Sequence, residues 1–149
     1  MGLLSNLRER ITHHPTVRQD PVFGEMEQVG SGLWQTVQPV PFLPGLEGVS
    51  VSVEGDSVPD TASHQAFEEL SRRYEGMKAS IGQMLCKTAP RVRAKCLWEH
   101  AWLASIEIWR DPVTAKTVLA LEYQLDDDPE YAYVIRVEDW RAVDVLVTG

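Results

Sequence analysis

The sequence predicts an α+β fold in which an antiparallel sheet carries one long amphipathic helix, at about residues 61–88, on one face. Apolar residues alternate with polar ones before residue 55 and after residue 103, which is typical of strands. Between these regions the apolar residues recur every three or four positions, which is typical of a helix. Strands interrupted by a single long helix favour an antiparallel sheet over the repeating strand–helix units of a parallel one.

The first 20 residues are predicted to form an N-terminal arm or short helix, separate from a single α+β domain at residues 21–149. A chain of 149 residues fits one domain. Pro15 ends any helix in the arm, which is either a short helix docked on the domain or a partly ordered tail. The apolar residues at helical spacing in the arm are Leu3, Leu4, Leu7 and Ile11.

Residues 21–54 predict a three-stranded meander. Its runs are VFGEMEQ, LWQTVQPVPF and LEGVSVSVEG, separated by turn sequences rich in glycine and proline. Because Val49, Val51 and Val53 alternate with polar residues, the third run is expected to bury one face.

The long helix is expected to begin at Asp60 or Thr61, because either side chain can accept a hydrogen bond from a free backbone N–H group. His64, in the first turn, is predicted to be exposed. Gly76 and Gly82 each weaken the helix by up to about 1 kcal/mol relative to Ala, so packing must stabilise it. The apolar stripe expected to face the core consists of Phe67, Leu70, Tyr74, Met77, Ile81 and Met84.

A short helix and four further strands are predicted after the long helix. The short helix is expected around residues 91–102, since Trp98 and Trp102 lie four positions apart. The runs ASIEIWRD and TVLALEYQL form an expected hairpin with a turn at Asp111, and YAYVIRVED and RAVDVLVTG form the last two strands. Two apolar faces are predicted, one of Leu119, Leu121, Tyr123 and Leu125 and one of Val143, Val145 and Val147.

The charge and the apolar content narrow the class of protein. The net charge of −8 and the isoelectric point near 4.9 argue against nucleic-acid binding, which needs clustered Lys and Arg. The same charge favours a basic partner, or simply keeps the protein soluble. No run of about 18 apolar residues and no secretory signal is found, so we expect a cytoplasmic protein without a membrane span. Cys86 and Cys96 are expected to be idle thiols, with a disulfide as the alternative.

No sequence motif predicts catalysis or a cofactor. The chain contains no nucleophile elbow, phosphate-binding loop or dinucleotide fingerprint. Glu107 and Glu122 could face each other across two strands like a glycosidase pair, but carboxylates at alternating strand positions are usually solvated. We therefore predict a protein without catalytic residues.

No metal site is predicted either. His13 and His14 are adjacent and lack further ligands, and the spacing of Cys96 and His100 is not a zinc signature. The run Asp126–Asp128 has consecutive acids and no following glycine, unlike a calcium-binding loop. A solvated turn explains it better.

Charge is unevenly distributed along the chain, which suggests a surface for a protein partner. Lys87, Arg91, Arg93 and Lys95 form a basic cluster, whereas the last 28 residues are strongly acidic. Aromatic residues among charges are typical of interfaces, although they could also be core residues beneath a solvated loop. The predicted partner-binding residues are Asp126, Asp127, Asp128, Glu130, Tyr131, Tyr133 and Trp140.

Short motifs in residues 20–149 resemble a bacterial family of uncharacterised domains. In that family a meander opens with Phe-Gly and a Trp, a Pro-Thr helix start follows, and an Asp-Pro-Glu-His-Gly stretch lies near the last strands. Asp128–Glu130 match that stretch, but Tyr131 and Ala132 stand in place of its His and Gly, which puts a role of that His in doubt. The residues that match the first part are Phe23, Gly24, Trp34, Pro59, Thr61, Gln65 and Phe67.

The resemblance implies a function like that of immunity proteins, which bind and neutralise a cognate bacterial toxin. The leading hypothesis is therefore a non-catalytic, cytoplasmic, immunity-like protein that binds a basic toxin domain. One alternative is a small enzyme or ligand-binding domain with a pocket between sheet and helix. Another is a structural subunit of a larger assembly, joined through the N-terminal arm.

Overall fold

The computed structural model describes residues 16–43, 48–55, 59–89 and 97–149, and confirms the α+β fold. The described strands form one sheet in chain order, in which every neighbouring pair is antiparallel except β4 and β5, which are parallel. The helices are α1 (Thr61–Thr88) and α2 (Leu97–His100). The strands are β1 (Val17–Asp20), β2 (Gly24–Gly30), β3 (Leu33–Thr36), β4 (Ser50–Glu54), β5 (Ala101–Arg110), β6 (Thr117–Leu125), β7 (Ala132–Glu138) and β8 (Arg141–Thr148).

The meander in the first half has four strands instead of three. β1 lies inside the segment that the sequence assigned to the N-terminal arm, and it pairs with β2 along its whole length. The turn between them is fixed by the Asp20 carboxylate, which accepts hydrogen bonds from the backbone N–H groups of Val22 and Phe23, both at 2.8 Å. The sheet therefore begins before residue 21, while residues 1–15 lie outside the described part of the chain.

The long helix α1 confirms the prediction from the apolar stripe. Asp60 is its N-cap and accepts from the Ser63 backbone N–H group at 2.9 Å. Of the predicted stripe only Met84 is half-buried, and the next residue, Leu85, is fully buried. α1 packs against β5, β6 and β8, and together with α2 it lies in the crossover that joins the parallel strands β4 and β5.

The core lies between α1 and one face of the sheet, called here the inner face. The predicted face of Leu119, Leu121, Tyr123 and Leu125 is buried there and joined by residues of β4, β5 and β7. The opposite, outer face carries polar side chains such as Glu107, although Val118 and Ala120 on it are buried.

Two predictions in the second half are corrected. Trp102 lies in β5 and not in a helix, since α2 ends at His100; residues 90–96 are outside the described chain. In β8 a register shift opposite Arg136 inserts one extra residue. Because a bulge resets the alternation of a strand, Ala142 packs toward the core and Val143 is 48% exposed instead of sharing a face with Val145.

Candidate functional site

The predicted acidic residues lie on the β6–β7 loop, Asp126–Glu130, which we call the acidic loop. The Asp126 backbone N–H group donates to the His100 carbonyl oxygen at 2.8 Å, and the Asp126 carboxylate lies 3.5 Å from His100 Nδ1. The Asp128 backbone N–H group donates to the Leu125 carbonyl oxygen at 3.1 Å. The loop is therefore attached at its first residue to the junction of α2 and β5.

Two members of the predicted partner-binding set hold the loop in place. The Tyr133 hydroxyl donates to the Asp128 carboxylate, and Asp128 is half-buried. The Tyr133 side chain belongs to the core and is only 3% exposed, so its ring is not available to a partner. The exposed members of the set at this end of the sheet are Asp126, Asp127, Glu130 and Tyr131.

Trp140 is not part of this cluster. It lies in the β7–β8 turn, where Asp139 and Trp140 have φ angles of 49° and 63°, the positive values that tight hairpin turns require. Its ring packs against the Arg73 guanidinium of α1 at 5.2 Å from the ring centroid. The seven residues of β7, spanning about 20 Å, separate Trp140 from the acidic loop.

The structure adds an apolar edge strand that the sequence analysis did not single out. β8 is the last strand of the sheet, so its outer backbone edge has no strand partner within the described chain. On β8, Val143, Leu146 and Val147 are 48%, 62% and 42% exposed. The sequence did contain a sign of this exposed apolar edge, the consecutive apolar run Val145–Val147. A strand with one solvated face needs apolar residues only at alternate positions.

The open strand and the acidic loop lie side by side. Thr148 pairs with Ala132 at the start of β7, directly after the loop. A side chain at Gly149 would collide with the Tyr131 ring and crowd the Glu130 carbonyl oxygen, so the end of the chain lies beside the acidic loop. We call this region the β8 surface; it comprises Tyr131 and the β8 edge with Leu146 and Val147, which point to opposite faces of the sheet, bordered by Asp126, Asp127 and Glu130. An apolar centre with a charged border is typical of protein interfaces.

The two carboxylates considered as a glycosidase pair do not face each other. Glu107 lies opposite Ala120 on the outer face, and Glu122 lies opposite Ser105. Burial, and then the nearby Glu54 carboxylate, raise the pKa of Glu107. Among the described residues there is no group of three or more His, Cys, Asp or Glu side chains that could hold a metal ion.

A second polar cluster joins the first turn of α1 to the β1–β2 turn. His64 Nε2 lies 2.8 Å from Asp20 Oδ2, and the two side chains are 18% and 1% exposed. His64 was predicted to be exposed; it is instead half-buried, because this pair and the Phe23 ring cover it. The neighbouring Ser63 hydroxyl donates to Asp60 in the helix cap. The cluster is best explained as a structural contact that holds the start of α1 against the β1–β2 turn.

No protein-family model, curated protein or solved structure matches the chain. The resemblance to immunity-like domains therefore stays a prediction based on the residues quoted for it. In the described chain, no helix is long and apolar enough to cross a membrane. The fold and the β8 surface define an α+β protein with one open, apolar sheet edge beside an acidic loop.

Proposed function

We propose that the protein is a non-catalytic, cytoplasmic, immunity-like protein that captures a basic toxin domain through the β8 surface. The observation that carries this proposal is the exposed apolar stretch of an edge strand beside a loop with several carboxylates. Most proteins protect a strand edge with short length or charge, and an apolar edge left open favours pairing with another chain.

Strand addition explains how the β8 edge would contribute affinity. A partner strand laid along it would satisfy the unpaired backbone groups and would cover the side chains of Leu146 and Val147. Burying one such side chain contributes about 1.5–3 kcal/mol when the burial is complete. Leu146, at 62% exposure, has the most surface to lose on β8.

Charge selects the kind of partner. The chain carries a net charge of −8, and the border of the β8 surface adds three exposed carboxylates next to the edge. A basic partner would be attracted and would associate faster at low salt. A second copy of this chain would carry the same net charge of −8, which disfavours a homodimer at this edge.

The proposal is tested by co-expression and pull-down with the product of the neighbouring gene. The Leu146→Ser variant should weaken capture about tenfold or more, because it removes a large apolar side chain from the contact. Val113→Ser is the matched control, since Val113 is 91% exposed on the β5–β6 turn and should bind as the wild type does. If the folded wild-type protein does not bind the product, the toxin-neutralising proposal fails.

A second variant tests the role of charge. Replacing Asp126, Asp127 and Glu130 with Ser, and leaving the Tyr133-bonded Asp128 intact, should slow association at low salt without unfolding the protein. The difference in association rate between the wild type and this variant should shrink as the salt concentration is raised. An association rate that is unchanged at low salt would rule out electrostatic attraction, and a homodimer in light scattering that Leu146→Ser dissociates would indicate self-pairing instead.

A further inference from the structure

A cavity of about 630 Å³ lies between the sheet and α1. The first residues of β5 belong to its lining. The parallel pairing of β4 with β5 begins at Ser50 and Ser105, so these residues of β5 come before the start of β4. Residues Ala101–Ala104 therefore have no β4 partner, and α1 and α2 contribute Tyr74, Lys78 and Trp98 to the lining. The volume is in the range of small-molecule sites.

The described lining of this cavity is aromatic and carries one charge. Four aromatic residues are among its lining residues: Phe42, Tyr74, Trp98 and Trp102. The only charged residue among the described lining residues is Lys78, a cation in a chain of net charge −8. Its ammonium nitrogen lies 5.0 Å from the Trp98 ring centroid and 5.9 Å from the Tyr74 ring centroid.

Lys78 is not neutralised by a buried carboxylate. Its described ion-pair partner is Glu75, with Nζ and Oε1 3.7 Å apart, and the Glu75 side chain is 73% exposed. An ion pair with so exposed a carboxylate is weak. The ammonium group thus remains able to bind an anion inside the cavity.

A pair of tyrosines supplies a second hydrogen-bond donor. The hydroxyl oxygens of Tyr74 and Tyr123 lie 2.8 Å apart, and burial raises the pKa of both phenols, which keeps them protonated. Two phenols carry two hydroxyl hydrogens, and the bond between them uses only one. When Tyr123 donates to Tyr74, the Tyr74 hydroxyl keeps a hydrogen that this bond does not use, and Tyr74 is a lining residue of the cavity.

We propose that this cavity binds a small planar aromatic molecule with a single carboxylate or equivalent anionic group, held by the Lys78 ammonium and the Tyr74 hydroxyl. The aromatic walls favour a flat apolar ring. The single lysine favours an anion over a neutral ligand and disfavours an organic cation, although aromatic walls alone would suit one.

The test uses three probes of one shape and different charge: cinnamate, cinnamamide and cinnamylammonium, titrated into the full chain by calorimetry at low salt. Cinnamate should bind saturably with one site per chain and about tenfold more tightly than the amide, because the charged pair is lost in the amide. Cinnamylammonium should bind more weakly than either. The absence of saturable cinnamate binding, or equal binding of the cation, would overturn the proposal.

Two variants locate the site. Lys78→Met should reduce the affinity for cinnamate to that for cinnamamide, while thermal unfolding verifies that the variant folds. Lys116→Met is the control, because Lys116 is an exposed lysine that pairs with Asp139 at 3.0 Å, away from the cavity lining. If Lys78→Met keeps the wild-type preference for cinnamate, the anion is bound elsewhere and the assignment of this cavity is wrong.

Discussion

The two edges of the sheet are built in opposite ways. β1 has four residues, and its last residue, Asp20, bonds two backbone N–H groups and His64 of α1. β8 has eight residues and exposes Val143, Leu146 and Val147. A short edge strand limits unwanted pairing, whereas a long apolar one invites it. Under the proposed function, β1 completes the fold and β8 binds the partner.

The largest effect on stability is expected from removing the Asp20 carboxylate at the β1 edge. Asp20→Ala leaves the N–H groups of Val22 and Phe23 without their acceptor and removes the partner of His64. Because these groups are largely buried, we expect a loss of about 2–4 kcal/mol in the free energy of unfolding, measured by urea denaturation.

Asp20→Asn is the matched control for this substitution. Its side-chain oxygen still accepts the two backbone N–H bonds, so the variant should lose clearly less stability than Asp20→Ala. Equal losses in the two variants would show that the charge, and not the turn geometry, carries the stabilisation.

A smaller effect concerns the acidic loop beside β8. Tyr133→Phe removes the hydroxyl that donates to the Asp128 carboxylate and should cost about 1 kcal/mol. Amide hydrogen exchange should become faster in the loop and stay unchanged in the β1–β2 turn. Unchanged exchange in the loop would mean that this bond does not order it.

The two glycines of α1, Gly76 and Gly82, offer a third comparison. A methyl group at Gly76 would meet no atom within 4 Å, whereas at Gly82 it would lie 3.2 Å from the Leu97 side chain. Gly76→Ala should stabilise the protein by about 0.5–1 kcal/mol because alanine favours the helix. Gly82→Ala should gain less, or lose stability, since Leu97 must shift; thermal unfolding of both variants measures this, and equal gains would contradict the close contact.

The smallest effect lies on the outer face between the two edges. The raised pKa of Glu107 means that the folded state binds this proton more tightly than the unfolded chain does. Stability therefore falls as pH rises from the ordinary value near 4.5 through the raised pKa. Glu107→Gln should gain about 0.5 kcal/mol or less at neutral pH, because it removes a partly desolvated charge and its repulsion from Glu54. Urea unfolding below the ordinary pKa should show no gain, and a gain of the same size there would contradict the assignment.

The local parts of the fold were predictable and the long-range parts were not. The spacing of Phe67, Leu70 and Tyr74 fixes α1 because a helix depends on neighbours three and four residues away. The edge position of β8 depends on the order of all strands in the sheet, and the spacing of apolar residues along the sequence does not reveal that order. The Asp20–His64 pair joins residues 44 positions apart, for which neither local sequence gives a sign.

The candidate site shows the same division. The sequence located the acidic loop from its composition, but grouped Tyr133 and Trp140 with it because they are near in sequence. The two ends of a strand lie far apart, so Trp140 lies at the opposite end of β7 from the acidic loop. Side chains alternate between the two faces of a strand, and the Tyr133 side chain lies on the face that packs into the core. Proximity along a strand therefore does not predict a shared surface.

The contrast between the two edges is tested most directly by amide hydrogen exchange on the complex with the neighbouring gene's product. If the partner binds the β8 surface, exchange at Leu146 and Val147 should slow on binding, together with exchange in the acidic loop, while exchange in β1 stays unchanged. Slower exchange in β1 with none in β8, or a stable complex without protection in either strand, would contradict the proposed interface.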